Sequence, residues 1–218
     1  LTHGLTVGLS GMTTPLGSPG RWKDRSFPSE TSLFRRWLNQ PAHSNTPREG
    51  ELTVDEQHIQ VTRTARYFSL GVPGPRIRKI WLVCHGYRQL ARSFLRRFRP
   101  LDDGTRLIIA PEGLSRFYLD DGTRRHDRDD PIGATWMTRE DRENEIRDYV
   151  KFLDCVLNET MANTGHGYHK LTVLGFSQGV HTVCRWVVAG DFRVARTVCW
   201  GGYPPPDLDP ERGPRRLS

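Results

Sequence analysis

Ser177 stands midway between two glycines in the run Gly175-Phe-Ser-Gln-Gly179. A serine hydroxyl becomes a nucleophile toward an ester or thioester carbonyl only if a base takes its proton and hydrogen-bond donors receive the developing oxyanion. The bare pattern is loose, and a strand-to-helix turn with a passing serine would also satisfy it. The flanks supply the missing context. Leu171 to Leu174 are apolar or β-branched and suit a strand buried on both faces, and the apolar positions from Val180 onward suit a helix. Only a backbone nearly free of side chains turns that sharply. The turn leaves the serine hydroxyl exposed, with a helix N-terminus behind it.

The donors belong to the backbone. One is the N–H of Gln178, just after the nucleophile; the other comes from the loop after an earlier strand, most simply the N–H of Tyr87 beyond His85-Gly86. His85 itself is expected to make a structural hydrogen bond. His181 follows the serine by one helical turn and is expected to point along its own helix, away from the crevice. Cys84 and Cys199 lie inside apolar runs, which makes them poor nucleophiles.

Several elements must carry these groups to one place. His58–Arg63 alternates, Thr64-Ala65 can turn and Arg66–Leu70 follows, which predicts an antiparallel hairpin. Lys79–Cys84 is a continuous apolar strand. Gln89–Arg99 carries Leu90, Phe94, Leu95 and Phe98 at helical spacing, and Leu107–Ala110 is a further buried strand ended by Pro111. Residues 112–137 read as a long charged loop of the kind that is functional or mobile. The next helix is marked by Thr138-x-x-Asp141, by acids in its first turn and by a stripe of Ile146, Tyr149, Val150, Leu153, Val156 and Leu157. After the elbow, Val194–Trp200 is one more strand. Strands alternating with helices predict an α/β domain, a mostly parallel sheet with helices on both faces. In such sheets ligands bind beyond the carboxyl ends of the strands, where His85-Gly-Tyr87, Pro111-Glu-Gly113 and Ser177 all fall.

The 218 residues suffice for one such domain. Residues 1–50, rich in Gly, Ser, Thr and Pro, read as disordered or as sequence upstream of the true start, with a short helical stretch at Leu33–Leu38; the domain is expected over 51–218. The formal net charge of +7 favours anionic partners in a non-specific way, but the arginines alternate with acids and no nucleic-acid motif accompanies them. No nucleic-acid partner is expected. Four cysteines, at 84, 155, 184 and 199, form no C-x-x-C pair and read as reduced thiols, without structural zinc or a disulfide framework. His126 with Asp127, Asp129 and Asp130 offers metal-ligand types, yet the interspersed arginines favour a solvated loop, so no metal is expected. No apolar run approaches a membrane span, so no stable membrane insertion and a cytoplasmic location are expected.

The run Leu174-Gly-Phe-Ser-Gln-Gly179, with Val83-Cys-His-Gly86, Ala110-Pro-Glu-Gly113 and Gly133-Ala-Thr-Trp136, resembles the phospholipase/carboxylesterase branch of the α/β-hydrolases, which includes the acyl-protein thioesterases. The resemblance covers roughly 58–202. Val180 departs from it, since family members usually carry another glycine there. The resemblance implies hydrolysis of a small carboxylic ester or thioester with Ser177 as nucleophile, a shallow apolar acyl groove and no cofactor. It also implies a triad in the order Ser, Asp, His, with the acid after the next strand and the histidine after the one beyond. Those positions are expected past Ser218, in a continuation that would add the C-terminal strands. Asp207 and Asp209 are the acids available before that point, in a proline-rich tail that reads as loop. Leu114, Phe117, Tyr118 and Trp136 are candidate acyl contacts or, equally, anchors of the 112–137 loop. The alternative function is a non-catalytic module of the same fold that binds an apolar or acyl ligand, or a partner, in the same crevice. Acyl length, leaving group and oligomeric state carry no readable code.

Overall fold

The computed structural model describes residues 54–120, 122–164, 171–209 and 211–217. The expectations for residues 1–50, including the helical stretch at Leu33–Leu38, lie outside them. Contacts separate the chain after Ile59, and the unit Gln60–Ser218 carries every regular element named below.

Five strands form the main sheet: β1 (Tyr67–Leu70), β2 (Lys79–Cys84), β3 (Arg106–Pro111), β6 (Leu171–Phe176) and β7 (Arg196–Trp200), in the spatial order β1-β3-β2-β6-β7. β2, β3, β6 and β7 run parallel, and β1 is antiparallel to β3. The expected hairpin around Thr64-Ala65 does not form. Residues 58–63 lie in no strand, and β1 pairs instead with β3, Tyr67 opposite Pro111. The alternation of 58–63 meets no strand among the described residues: all six are exposed, so no buried face fixes a register for them.

Both faces of the sheet are covered, which is why its strands read as unbroken apolar runs. Ile80, Leu82 and Cys84 of β2 point to one face with Leu107, Ile109, Leu171 and Val173, under α2 (Arg142–Thr164) and α3 (Gln178–Ala189). Val83, Ile108, Ala110 and Leu174 point to the other, against Phe94, Leu95 and Phe98. Each fully buried side chain of this size contributes about 1.5–3 kcal/mol relative to exposure. The helix expected over Gln89–Arg99 is shorter than its period suggested: α1 is Ala91–Leu95, and Arg96–Leu101 continues as a 3-10 helix containing Pro100. Phe94, Leu95 and Phe98 are buried all the same.

The stripe on α2 is placed as its spacing implied, with Tyr149, Leu153, Val156 and Leu157 buried and Ile146 and Val150 packed at the edge of the core. The 112–137 segment is not a plain loop. It contains the antiparallel pair β4 (Ser115–Tyr118) and β5 (Ile132–Thr135), with Ser115 opposite Thr135. Beyond β7 the proline-rich tail closes on α4 (Arg212–Leu217), where Asp209 Oδ1 accepts from the N–H groups of Glu211 and Arg212, each at 2.8 Å.

The strand order reverses beside β2: α1 carries the chain to β3 on one side, and β6 lies on the other. The carboxyl ends of β2 and β6 are therefore adjacent, Cys84 opposite Gly175, with His85 and Ser177 just beyond. That is the crevice in which open α/β sheets bind ligands.

Candidate active site

The turn from β6 into α3 is held by steric necessity. A Cβ on Gly175 would lie 2.3 Å from the Gly179 carbonyl oxygen, and one on Gly179 would lie 2.2 Å from that of Cys84. Two bare backbones thus let the first turn of α3 settle against the end of β2. Between them Ser177 takes φ +51° and ψ −117°, a left-handed conformation for a residue with a Cβ. Such strain costs about 1–3 kcal/mol and persists only where the surroundings over-determine it. Here Ser177 N–H donates to Trp200 O at 2.9 Å, while Ser177 O accepts from Val180 N–H at 2.9 Å. Ser177 is exposed, although Gly175, Gly179 and Val180 around it are buried. Val180, the departure from the family pattern, lies in the core against Gly202.

The loop after β2 reaches the same point. A Cβ on Gly86 would lie 3.2 Å from Ser177 Cβ and 3.0 Å from Phe176 Cδ1, so Gly86 faces the serine closely enough that any side chain there would push its neighbours by a few tenths of an ångström. Tyr87 follows, half exposed, its ring stacked on Phe117 at 5.5 Å. Gln178 opens α3, where backbone N–H groups lack intrahelical partners and the helix dipole is positive.

His85 braces this loop. Its Nδ1–H donates to Gly86 O at 2.8 Å and its Nε2 accepts from Gly113 N–H at 3.0 Å, a pattern that only the neutral ring satisfies. Burial holds its pKa below the ordinary histidine value, against smaller opposing pulls from Gly86 O and Glu112. Both nitrogens are engaged, so His85 is a structural histidine. Trp136 Nε1–H donates to His85 O at 2.8 Å.

Three braces were not singled out in the sequence. The Gln178 carboxamide spans to the segment after β5: its oxygen accepts from Trp136 N–H at 3.2 Å, and its nitrogen donates to Met137 O at 2.8 Å and Thr135 Oγ1 at 2.9 Å. Gln89 Oε1 accepts from Gly86 N–H at 2.8 Å, and Gln89 also bridges to Ala134 of β5. Glu112, fully buried, accepts from Arg66 Nε at 2.7 Å and from Ala91 N–H at 3.2 Å, which ties the end of β3 to the start of α1. A polar residue between or beside glycine-rich strand ends was the only local signal for them; their partners are distant in sequence.

The remaining candidates are dispersed. Leu114 and Phe117 are partly buried, Tyr118 is exposed with its ring stacked on His126 at 3.7 Å, and Trp136 is 2% exposed within the core. Asp207 is gripped by Arg185 at 2.8 and 3.1 Å and by Arg142, and these bonds hold its carboxyl far below the usual range. Asp209 caps α4. His181 sits on α3, partly buried, with its pKa lowered by burial and by Arg185. His126 Nδ1 lies 2.7 Å from Asp120 Oδ2 and 3.6 Å from Asp130 Oδ2, a trio of metal-ligand types that takes in Asp120 rather than the expected Asp127 and Asp129, and Arg124 pairs with Asp130. Among the described residues no histidine hydrogen-bonds Ser177.

No family model and no curated protein matches the sequence. Solved structures do. A phospholipase/carboxylesterase from Dyadobacter fermentans DSM 18053 is 17% identical, with 71% of this chain and 68% of that chain covered at a TM-score of 0.52. Esterase PE8 is 18% identical over 71% and 70%, TM-score 0.48, and the Bacillus cereus carboxylesterase is 12% identical over 66% and 64%, TM-score 0.47. At these identities the likeness is one of fold. The chain has the α/β-hydrolase fold, as its sheet order and strand-to-helix elbow independently indicate. Among the described residues no helix is long and apolar enough to cross a membrane.

Proposed function

We propose that the protein is a serine hydrolase of carboxylic esters or thioesters, with Ser177 as nucleophile and the N–H groups of Gln178 and Tyr87 as oxyanion donors. The observation that carries this reading is the left-handed, exposed Ser177 closely apposed to Gly86, whose absent Cβ would lie 3.2 Å from that of the serine. Strain of that kind at a strand end marks a site at which a side chain is being aimed. Ser177 Oγ attacks the carbonyl carbon and gives up its proton to a base, which no described histidine supplies. The tetrahedral oxyanion is received by the two N–H groups, the alcohol or thiol leaves with a proton, and water releases the acid from the acyl-serine. Leu114, Phe117 and Tyr118 border the acyl groove in this reading, and Trp136 shapes it from beneath by holding His85. No cofactor or metal takes part. A cytoplasmic setting is supported by the spacing of the four cysteines in the sequence, which form no C-x-x-C pair and suggest no disulfide framework.

A fluorophosphonate probe tests the proposal. Labelling of Ser177, located by peptide mapping and lost in Ser177→Ala, is the expected result; with no described base on Ser177, turnover of nitrophenyl esters or acyl thioesters is expected only at the residual level that oxyanion donors and binding support. A folded protein that takes up no probe would instead be a binding module of this fold, the reading favoured by the lack of a described base on Ser177.

A further inference from the structure

Two elements hold Ser177, and each carries a cysteine toward the other. Cys184 lies on α3, two turns after the serine, and Cys199 on β7, opposite Gly175 and next to the Trp200 carbonyl that accepts the Ser177 N–H. Their sulfur atoms are 3.8 Å apart. Both are free thiols; Cys184 is buried, whereas Cys199, expected from its apolar run to be an inaccessible and poor nucleophile, is exposed because the β7 burial pattern leaves that position open. A disulfide needs about 2.05 Å between sulfurs, so closure brings the two atoms together by under 2 Å. The other two thiols are differently placed: Cys84 is fully buried in the sheet and Cys155 is exposed on α2.

We infer that Cys184 and Cys199 form an oxidisable dithiol that a hydroperoxide converts to a disulfide, cross-linking the elbow helix to the strand that supports the nucleophile. The exposed Cys199 thiol attacks the O–O bond, becoming a sulfenic acid while the hydroperoxide is reduced to an alcohol or, for hydrogen peroxide, to water. Cys184 sulfur then attacks the Cys199 sulfur and expels the hydroxyl as a second water. Two thiols lose two electrons in all, and the peroxide bond accepts them. The order follows from access: burial, and secondarily the neighbouring Cys199, raise the Cys184 pKa, so Cys184 is shielded from the oxidant and a poor first attacker. It is, however, the thiol in contact with Cys199, which makes it the resolving partner. The closed loop joins α3 to β7 without touching the oxyanion loop. This inference does not depend on Ser177 being catalytic.

The test is peroxide treatment of the full chain, followed by non-reducing tryptic mapping and thermal melting. The expected product is the peptide pair Leu171–Arg185 with Thr197–Arg212, joined with loss of two hydrogens and separated by dithiothreitol. A closed loop of this length raises Tm by roughly 5–10 °C over the reduced protein. Cys184→Ala abolishes both the cross-link and the shift, while Cys155→Ser changes neither. Cys199 recovered as sulfinic acid with no cross-linked pair, or cross-links through Cys155 alone, would overturn the inference. If Cys184→Ala fails to fold, the wild-type peptide map still decides.

Discussion

Gly86 and Ser177 come from strand ends about ninety residues apart, yet a Cβ built on the glycine would sit 3.2 Å from the Cβ of the serine. The loop proposed to receive an oxyanion and the turn proposed to present a nucleophile are therefore in contact, closer than a methyl group is ordinarily accommodated.

Gly86→Ala tests that contact. Its methyl would meet Phe176 Cδ1 at 3.0 Å, Ser177 Cβ at 3.2 Å and Gln89 Oε1 at 3.3 Å, so the loop must shift by a few tenths of an ångström. Because oxyanion donors act within a narrow distance, probe labelling of Ser177 should slow by about 10- to 100-fold. The urea midpoint should fall only slightly, and an unchanged labelling rate would contradict the proposed geometry.

Gly179→Ala should act on folding instead. A methyl at 2.2 Å from Cys84 O and 2.7 Å from His85 O meets backbone on the other side, which cannot swing away. A loss on the order of 3 kcal/mol or more in urea unfolding, or failure to fold, is expected. Stability within 1 kcal/mol of wild type would show that the elbow is looser than this contact requires.

Gln178→Leu keeps the backbone N–H proposed as a donor and removes the carboxamide that holds Thr135, Trp136 and Met137. Thr135 Oγ1 still donates to Met137 O at 2.9 Å, but the Trp136 N–H loses its acceptor in a buried place, and a destabilisation of about 1–3 kcal/mol is expected. Labelling of Ser177 should drop as well, since Trp136 in turn holds His85 O.

His85 sets a pH dependence. Its pKa is lowered in the folded protein, so below the unfolded value of about 6.5 the unfolded chain binds a proton that the native state does not. Stability should therefore fall as pH drops from 7 toward 5, with a slope of up to about 1.4 kcal/mol per pH unit from this group. His85→Asn, where it folds, should flatten the dependence; an equal slope in both proteins would assign it elsewhere.

Asp207→Asn tests the tail. The carboxylate joins Arg185 of α3 and Arg142 of α2 to the segment after β7, and its loss leaves the buried Arg185 without its anion. The expected cost in urea unfolding is about 1–3 kcal/mol. Asp207 stabilises the fold above its unfolded pKa of about 4, and that contribution is lost as pH falls through and below this value.

The sequence by itself determined the elbow. Glycine at 175 and 179, an apolar run before and an apolar helix period after are local facts, and local sterics leave few ways to join them. It determined the doubly covered sheet for the same reason, because strands without polar alternation need a cover on each face. What only tertiary structure decided is everything that depends on distant partners. Residues 58–63 alternate as a strand does, but β1 found β3, and no period can name a partner. Residues 112–137 read as loop because their charge hides a short hairpin whose β5 is pinned to Gln89. His85 was legible as a structural histidine, but the side chains of Gln89, Glu112 and Gln178 become braces only because hydrogen bonds are made with whatever the fold brings within about 3 Å. The same is true of Cys184 and Cys199: fifteen residues apart in sequence, they touch because α3 packs beside β7.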